Sequence, residues 1–324
     1  MSIRKLAVAM AVFSYLGMEG AHAQAQNFPS KPVSIVVPSN PGGLVDLLGR
    51  TVGQGLSEAW KQPVVVRNIP GAANQIGALR VAKSTPDGYT LLIVPELAFT
   101  AAQFIFSNLP YDPKQFAPIT GLVAIDTTLV VHAELPIQSL ADLFQAAKKE
   151  PGRLNFATMG LGSNTHLFLA NLESMAGVNF TLVHYTGVAA GLSSLMAGHV
   201  DVMFANPNNA RAAAKQDKVR ILGISGNKRL PNMPDVPTIA EVVPGYEAVA
   251  WFGLFAPIGT PSDIIEKISA DTRRFISGTA FQEKLVIPNG FRPIASTPKE
   301  FQDFIRTETE KWGAVARAAR IKIE

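Results

Sequence analysis

Val33-Ser34-Ile35-Val36-Val37-Pro38-Ser39-Asn40-Pro41-Gly42-Gly43-Leu44 joins two kinds of periodicity within twelve residues. β-Branched side chains crowd a helix and suit a pleated surface, so the run before Pro38 predicts a strand. After the Pro41-Gly42-Gly43 turn, Leu44, Leu47, Leu48, Val52 and Leu56 recur at helical spacing and are expected on one buried face. A strand, a glycine turn and a helix begin a βαβ unit, and the next strand must then run parallel to the first.

The alternation continues outward. Strands are predicted at 64–66 and 90–94. Between them lie the turn Pro70-Gly71-Ala72-Ala73 and a helix through Ile76, Leu79 and Val81, and Pro86-Asp87-Gly88 turns the chain into the later strand. A second unit begins with a strand at 127–131. Ser139 and Asp142 cap a helix that Pro151-Gly152 stops. Strands at 154–157, 181–184, 200–204 and 219–224 follow, with a glycine-rich loop leading into a helix near Asn164. Residues 227–237 are polar, contain three prolines and read as a surface loop. An apolar strand at 248–255 precedes two helices, 262–275 and 299–319. Thr297, Pro298 and Glu300 form a capping box at the start of the latter. The expected fold class is α/β, with two lobes: 24–124 plus 252–324, and 125–251. The closing helices return to the first lobe, and hinge crossings fall near Ile125 and Trp251.

Composition narrows the function. The chain has 324 residues, 47% hydrophobic and 17% charged, enough for two cores and too apolar for extended disorder. The net charge of +4 is scattered with no basic stripe, which argues against nucleic acid as a partner. Cysteine is absent, excluding disulfides and thiolate chemistry. Arg4 and Lys5, an apolar run over 6–18 and Ala21-His22-Ala23 are expected to form a signal peptide over 1–23, cleaved after Ala23 or Ala25. The run is shorter than a membrane span of about 18 residues. The expected location of the mature chain is the periplasm.

Phe28-Pro29-Ser30-Lys31-Pro32 opens an ordered series of short motifs. Val37-Pro38 is followed by Pro41-Gly42-Gly43 and Asp46, then by Pro70-Gly71-Ala72, Pro86-Asp87-Gly88-Tyr89-Thr90-Leu91-Leu92, Leu109-Pro110-Tyr111-Asp112-Pro113 and Phe116-Ala117-Pro118. Gly160-x-Gly162-Ser163-x-x-His166-Leu167, Tyr185-x-Gly187, Gly198-x-Val200-Asp201-x-Met203-Phe204 and Trp251-Phe252-Gly253 complete it. Together they resemble the tripartite tricarboxylate transporter substrate-binding proteins, the Bug family of extracytoplasmic solute receptors. The resemblance spans the mature chain. It implies a two-lobed periplasmic-binding-protein fold of type II that closes on a small carboxylate: a dicarboxylate, an amino acid or its amide, or an aromatic acid. It also implies a site built largely of backbone amides and hydroxyls, no cofactor, and a membrane permease or membrane sensor as partner. A monomer is expected.

The residues carry a physical reason for such a site. Ser39, Asn40, Gly42 and Gly43 lie between a strand and a helix, where free amides and the helix dipole favour an anion. Thr158, Gly160, Ser163, Asn164 and Thr165 form a second such place. Taken alone, each loop reads first as an ordinary strand-to-helix turn; with the resemblance, both are expected to contact ligand. Asp46 is expected to order its loop more than to touch ligand. Tyr185 is expected in the cleft wall, and Ala205 stands where relatives often carry an acid, followed by Asn206, which is expected at the site. Glu96, where relatives often carry small or hydroxyl residues, is expected to read an ammonium or amide group; the alternative is a solvated loop carboxylate. His166 and His184 lack partners at metal-ligand spacing, so packing or hydrogen bonding is expected, and no metal or catalytic residue is assigned. Trp251 serves either the hinge core or ligand stacking. The competing function is a periplasmic enzyme acting on a small carboxylic acid derivative, although neither G-x-S-x-G nor H-E-x-x-H occurs. An effector-sensing domain of a transcription regulator is disfavoured by the signal peptide and the lack of a helix-turn-helix.

Overall fold

The computed structural model describes residues 28–324, so the expected signal peptide lies outside the described residues. The chain begins with β1 (Val33–Val37), α1 (Leu44–Trp60), β2 (Val64–Asn68), α2 (Gln75–Ala82), β3 (Thr90–Pro95) and β4 (Phe116–Asp126). Then come β5 (Thr128–His132), α3 (Leu140–Lys149), β6 (Asn155–Thr158), α4 (Asn164–Ala176), β7 (Thr181–His184), α5 (Val188–Met196), β8 (Val202–Ala205), α6 (Pro207–Ala214) and β9 (Val219–Ile224). The last main elements are β10 (Val249–Pro257), α7 (Ser262–Ile276), β11 (Arg292–Pro293) and α8 (Pro298–Ala318).

Two sheets result, one per lobe. The first has the order β11-β4-β10-β3-β1-β2, the second β7-β6-β8-β5-β9. β1 is parallel to both β2 and β3, as the opening βα unit requires. β6, β7 and β8 are likewise parallel, and β5 and β10 are inserted antiparallel. α1 buries Leu48, Val52 and Leu56 on the sheet. Leu47, expected beside them, is 41% exposed. Gly49 and Gly53 turn inward in its place, and a Cβ on Gly49 would stand 2.7 Å from the Val37 side chain. The helix therefore lies close to β1 along a glycine face that periodicity of apolar residues does not register.

β4 is the strand that sequence patterning misses. It is buried over nearly all its length, which erases alternation, and it contains Pro118. That proline pairs with Phe255, where the β10 register shifts, the kind of irregularity that tolerates a missing donor. The chain passes from β4 to β5 through Thr127, and β10 begins at Val249 paired with Asp126. Ser225 and Thr127 exchange hydrogen bonds of 2.9 Å at this crossing, and the Ala248 amide donates to the Ser225 carbonyl at 2.9 Å. Asp126 accepts two bonds from the Arg292 guanidinium, at 2.7 and 3.1 Å, and thereby fastens β11 beside the crossing.

The closing helices diverge. α7 returns to the first lobe and packs on α1, where the Trp60 indole donates to Asp271 at 2.8 Å. α8 begins at the expected Thr297–Glu300 capping box. It covers β4 and also reaches the second lobe, where Trp312 lies against Phe168 of α4 with ring centroids 5.3 Å apart. No helix of the described residues is long and apolar enough to cross a membrane.

Candidate functional site

The carboxyl ends of β1, β3, β6, β7 and β8, with the loops and first helical turns that follow them, carry all thirteen expected site residues. In open α/β sheets the carboxyl ends of the strands are where ligands bind, because helices begin there and their amides point outward. The two lobes turn these ends toward each other. Glu96, directly after β3, accepts a long hydrogen bond of 3.4 Å from the side-chain amide of Asn164, the first residue of α4.

In the first lobe the turn after β1 is ordered by Asp46. One of its oxygens accepts from the Gly42 amide at 2.9 Å and from Arg50 at 3.0 Å; the other accepts from Asn68 at 2.9 Å. Asn68 also donates to the Ser39 carbonyl at 3.1 Å, so the carboxylate grips both ends of the turn. Gly42 has φ +83°, a left-handed conformation that other residues adopt at a cost, and a Cβ there would meet nothing within 4 Å. Gly43 is the N-cap of α1 and supplies no side-chain cap. The first bond of the helix is Leu47 N–H to the Gly43 carbonyl, which leaves the amides of Leu44 and Val45 without an intrahelical partner. Asn40, Pro41, Gly42 and Gly43 are exposed around them.

The Arg50 guanidinium holds the Asp46 carboxyl down at about 2, against burial and with help from the Gly42 amide and Asn68. With solvent screening at the exposed Arg50, Asp46→Ala is expected to lower stability by about 1–2 kcal/mol at neutral pH. The folded carboxyl lies below its unfolded value, so the contribution is present above about pH 4 and disappears as pH falls through about 2. Chemical denaturation of the variant and the parent at neutral and acid pH measures it.

The second lobe's loop is largely satisfied from within, unlike the first. The Ser163 hydroxyl donates to the Gly160 carbonyl at 2.7 Å and accepts from the His166 amide at 3.3 Å, capping α4. Thr165 accepts from the Met159 amide at 2.9 Å, and Thr158 bonds the His184 ring at 2.6 Å. His166, expected to pack, is buried and accepts from the Gly162 amide at 3.1 Å; burial, with His184 beside it, lowers it to about 4, leaving the ring neutral. Asn206 caps its own helix by accepting from the Asn208 amide. Tyr185 is half-buried, with its hydroxyl 2.5 Å from Ser194. The open amides of this lobe lie elsewhere. Gly160 has φ +107° and faces open space, and Gly187, outside the expected set, begins α5 without a side-chain cap and also faces open space. A glycine in place of Ser, Thr, Asp or Asn before a helix is the sequence signal for such an end.

Glu96 is buried, so it is no solvated loop carboxylate. Its second oxygen accepts from the Trp251 amide at 3.2 Å. Trp251 is itself buried against Phe301 and Phe304, which places its ring in the hinge core.

Comparison with known proteins agrees with this architecture. The profile of the Tripartite tricarboxylate transporter family receptor matches residues 48–321. A UPF0065 protein from the tcbD-tcbE intergenic region of Pseudomonas sp. strain P51 is 36% identical over 92% of this chain and 90% of its own length. Among solved structures the chain is similar to R. palustris Rpa4515 with adipate, at 32% identity and a TM-score of 0.77, over 91% of this chain and all of the other. It is also similar to MatC from Rhodopseudomonas palustris with bound malate, at 30% identity and a TM-score of 0.72, over 89% of this chain and 99% of the other. With the fold, the ordered motifs and these matches in agreement, the chain belongs to the tripartite tricarboxylate transporter family of receptors.

Proposed function

We propose that this receptor closes its two lobes on a small carboxylate-bearing solute in the periplasm and releases it unaltered to a membrane permease or sensor. The observation that carries the reading is a pair of helix N-termini, α1 behind Gly43 and α5 behind Gly187, one in each lobe, each at a strand's carboxyl end and each without a side-chain cap. Such an end contributes about 0.3–1 kcal/mol to holding an anion, and up to about 2 kcal/mol when partly buried. Micromolar capture needs about 8 kcal/mol, so several amides must converge in a closed, water-poor cleft. The lobes swing about the crossings expected near Ile125 and Trp251. Ser39, Asn40, Gly42 and Gly43 meet the solute from one side, and Gly160, Asn164, Tyr185, Gly187 and Asn206 from the other. Asp46, Thr158, Ser163 and Thr165 hold these loops in shape. Glu96 influences the solute through Asn164, favouring a neutral donor such as an amide group. The adipate and malate of the similar structures support the carboxylate class.

A thermal-shift screen of dicarboxylates, amino acids, their amides and aromatic acids tests the proposal. A true solute at 100 times its Kd is expected to stabilise the protein by about 2.7 kcal/mol. Solute recovered unchanged and in full after incubation supports a receptor, and turnover would favour the enzyme reading. If every carboxylate leaves the melting temperature unmoved, the carboxylate assignment fails.

A further inference from the structure

Glu96 is 3% exposed and pairs with no Lys or Arg among the described residues. Its acceptors are engaged by neutral donors: its own amide, the Trp251 amide of β10 and the Asn164 side chain of α4. The groups around it do not supply the missing charge. From α8, the Glu308 carboxylate opposes it; that group is buried and accepts from the Trp312 indole at 2.8 Å and from Lys311 at 3.2 Å. From α4, two residues beyond Asn164, His166 is neutral, with His184 facing it at a ring separation of 5.5 Å. β10 contributes only a peptide N–H. A buried carboxylate in these surroundings is costly as an anion and much less so once protonated.

The donor from α4 belongs to the opposite lobe, so it reaches Glu96 only when the lobes approach. Separation would exchange the Asn164 amide for water, which solvates the anion better. We propose that burial of Glu96 beneath Asn164 of the opposite lobe couples closure of the cleft to uptake of one proton, so that the receptor captures its solute together with a proton held on the Glu96 carboxylate. The proposal rests on the two-lobed capture reading above. The proton comes from solvent, adds to one carboxylate oxygen and returns to solvent when the lobes part. Burial pushes the Glu96 carboxyl up to about 7 in the closed arrangement, above its ordinary value. A carboxyl raised in the closed state favours closure most below its open-state value. The advantage declines as pH rises through about 4.5 to 7 and is level above that.

The chain has no cysteine, so Lys83→Cys and Lys149→Cys, exposed positions in the first and second lobes, take spin labels without competing sites. Dipolar distance measurement on the solute-free protein at about pH 5.5 and 8.5 then reads the lobe separation directly. The closed fraction is expected to fall about fivefold or more between the two. Glu96→Gln, which imitates the protonated group, is expected to hold the low-pH distribution at both. Asn164→Ala, read alongside it, is expected to steepen the response, because the amide it removes favours the buried anion. A parent without pH response, or a Glu96→Gln protein that keeps the full response because a histidine carries it, would overturn the proposal. A distance change on adding adipate or malate, with no response to pH, would remove the proton while leaving solute capture in place.

Discussion

Arg292→Met is expected to destabilise the protein by about 3 kcal/mol at neutral pH, the lower end of the range for breaking a buried ion pair. Asp126 closes β4 at the first crossing, and its side chain is 2% exposed, whereas Arg292 is 44% exposed. The arginine side chain, once removed, leaves a carboxylate in the hinge with no cation. The half-exposed guanidinium was partly solvated to begin with, which places the loss at the lower end. Urea denaturation of the variant and the parent at neutral pH measures the loss. Gly226→Ala provides an independent check. A Cβ there would stand 2.0 Å from an Asp126 carboxylate oxygen, displacing the acid from the same pairing without touching the arginine. A loss below about 1 kcal/mol for Arg292→Met would mean the pair behaves as a surface contact and does not fasten the crossing.

The hinge illustrates where sequence carries structure and where it does not. β1, its glycine turn and α1 are legible because strand, turn and helix follow from neighbours within a few residues of one another. The caps at Ser139 and Thr297 are legible for the same reason, and both form as expected. β4 is hidden because burial on both faces removes alternation, and Pro118 and Gly121 read as breakers until β10 supplies a bulged partner. The inward face of α1 is hidden in part because glycines at 49 and 53 define it by what they lack. Pairings across the lobes leave no local trace. Asp126 and Arg292 are 166 residues apart, and Glu96 and Asn164 are 68 apart. The same limit applies within the site. Strand-to-helix loops can be located from Gly, Ser and Thr, but whether a hydroxyl is free for a solute or spent on its own helix depends on a rotamer. Ser163 and Thr165 are spent in this way, whereas Gly43 and Gly187, having no side chain to spend, leave their helix ends open.

That contrast makes Gly43→Asp the most discriminating change at the site. Gly43 has an extended backbone, φ −79° and ψ 173°, which any residue can adopt, and a Cβ there would lie 3.6 Å from the Asn40 carbonyl oxygen, an ordinary contact. An aspartate at this N-cap would accept from the amides of the first turn and complement the helix dipole. Stability is expected to stay level or rise by a few tenths to about 1 kcal/mol. Binding is expected to move the other way. The amides would already be occupied, and a carboxylate about 4 Å from the solute's own would add a repulsion of about 4 kcal/mol at a surface-like dielectric. Affinity for any carboxylate found in the screen should fall by at least about 100-fold. Gly43→Asn would occupy the amides without the charge and is expected to lose about tenfold, which separates the two causes. Gly187→Asp repeats the experiment on the second lobe, where the backbone is extended and a Cβ meets open space. A loop that served only the fold would gain from the better cap and lose nothing. Stability and affinity moving in opposite directions is therefore the signature of a helix end left open for an anion, and calorimetric titration beside a melting curve on the same sample reads both. Retained affinity in the Gly43→Asp protein would place the solute's charge elsewhere in the cleft.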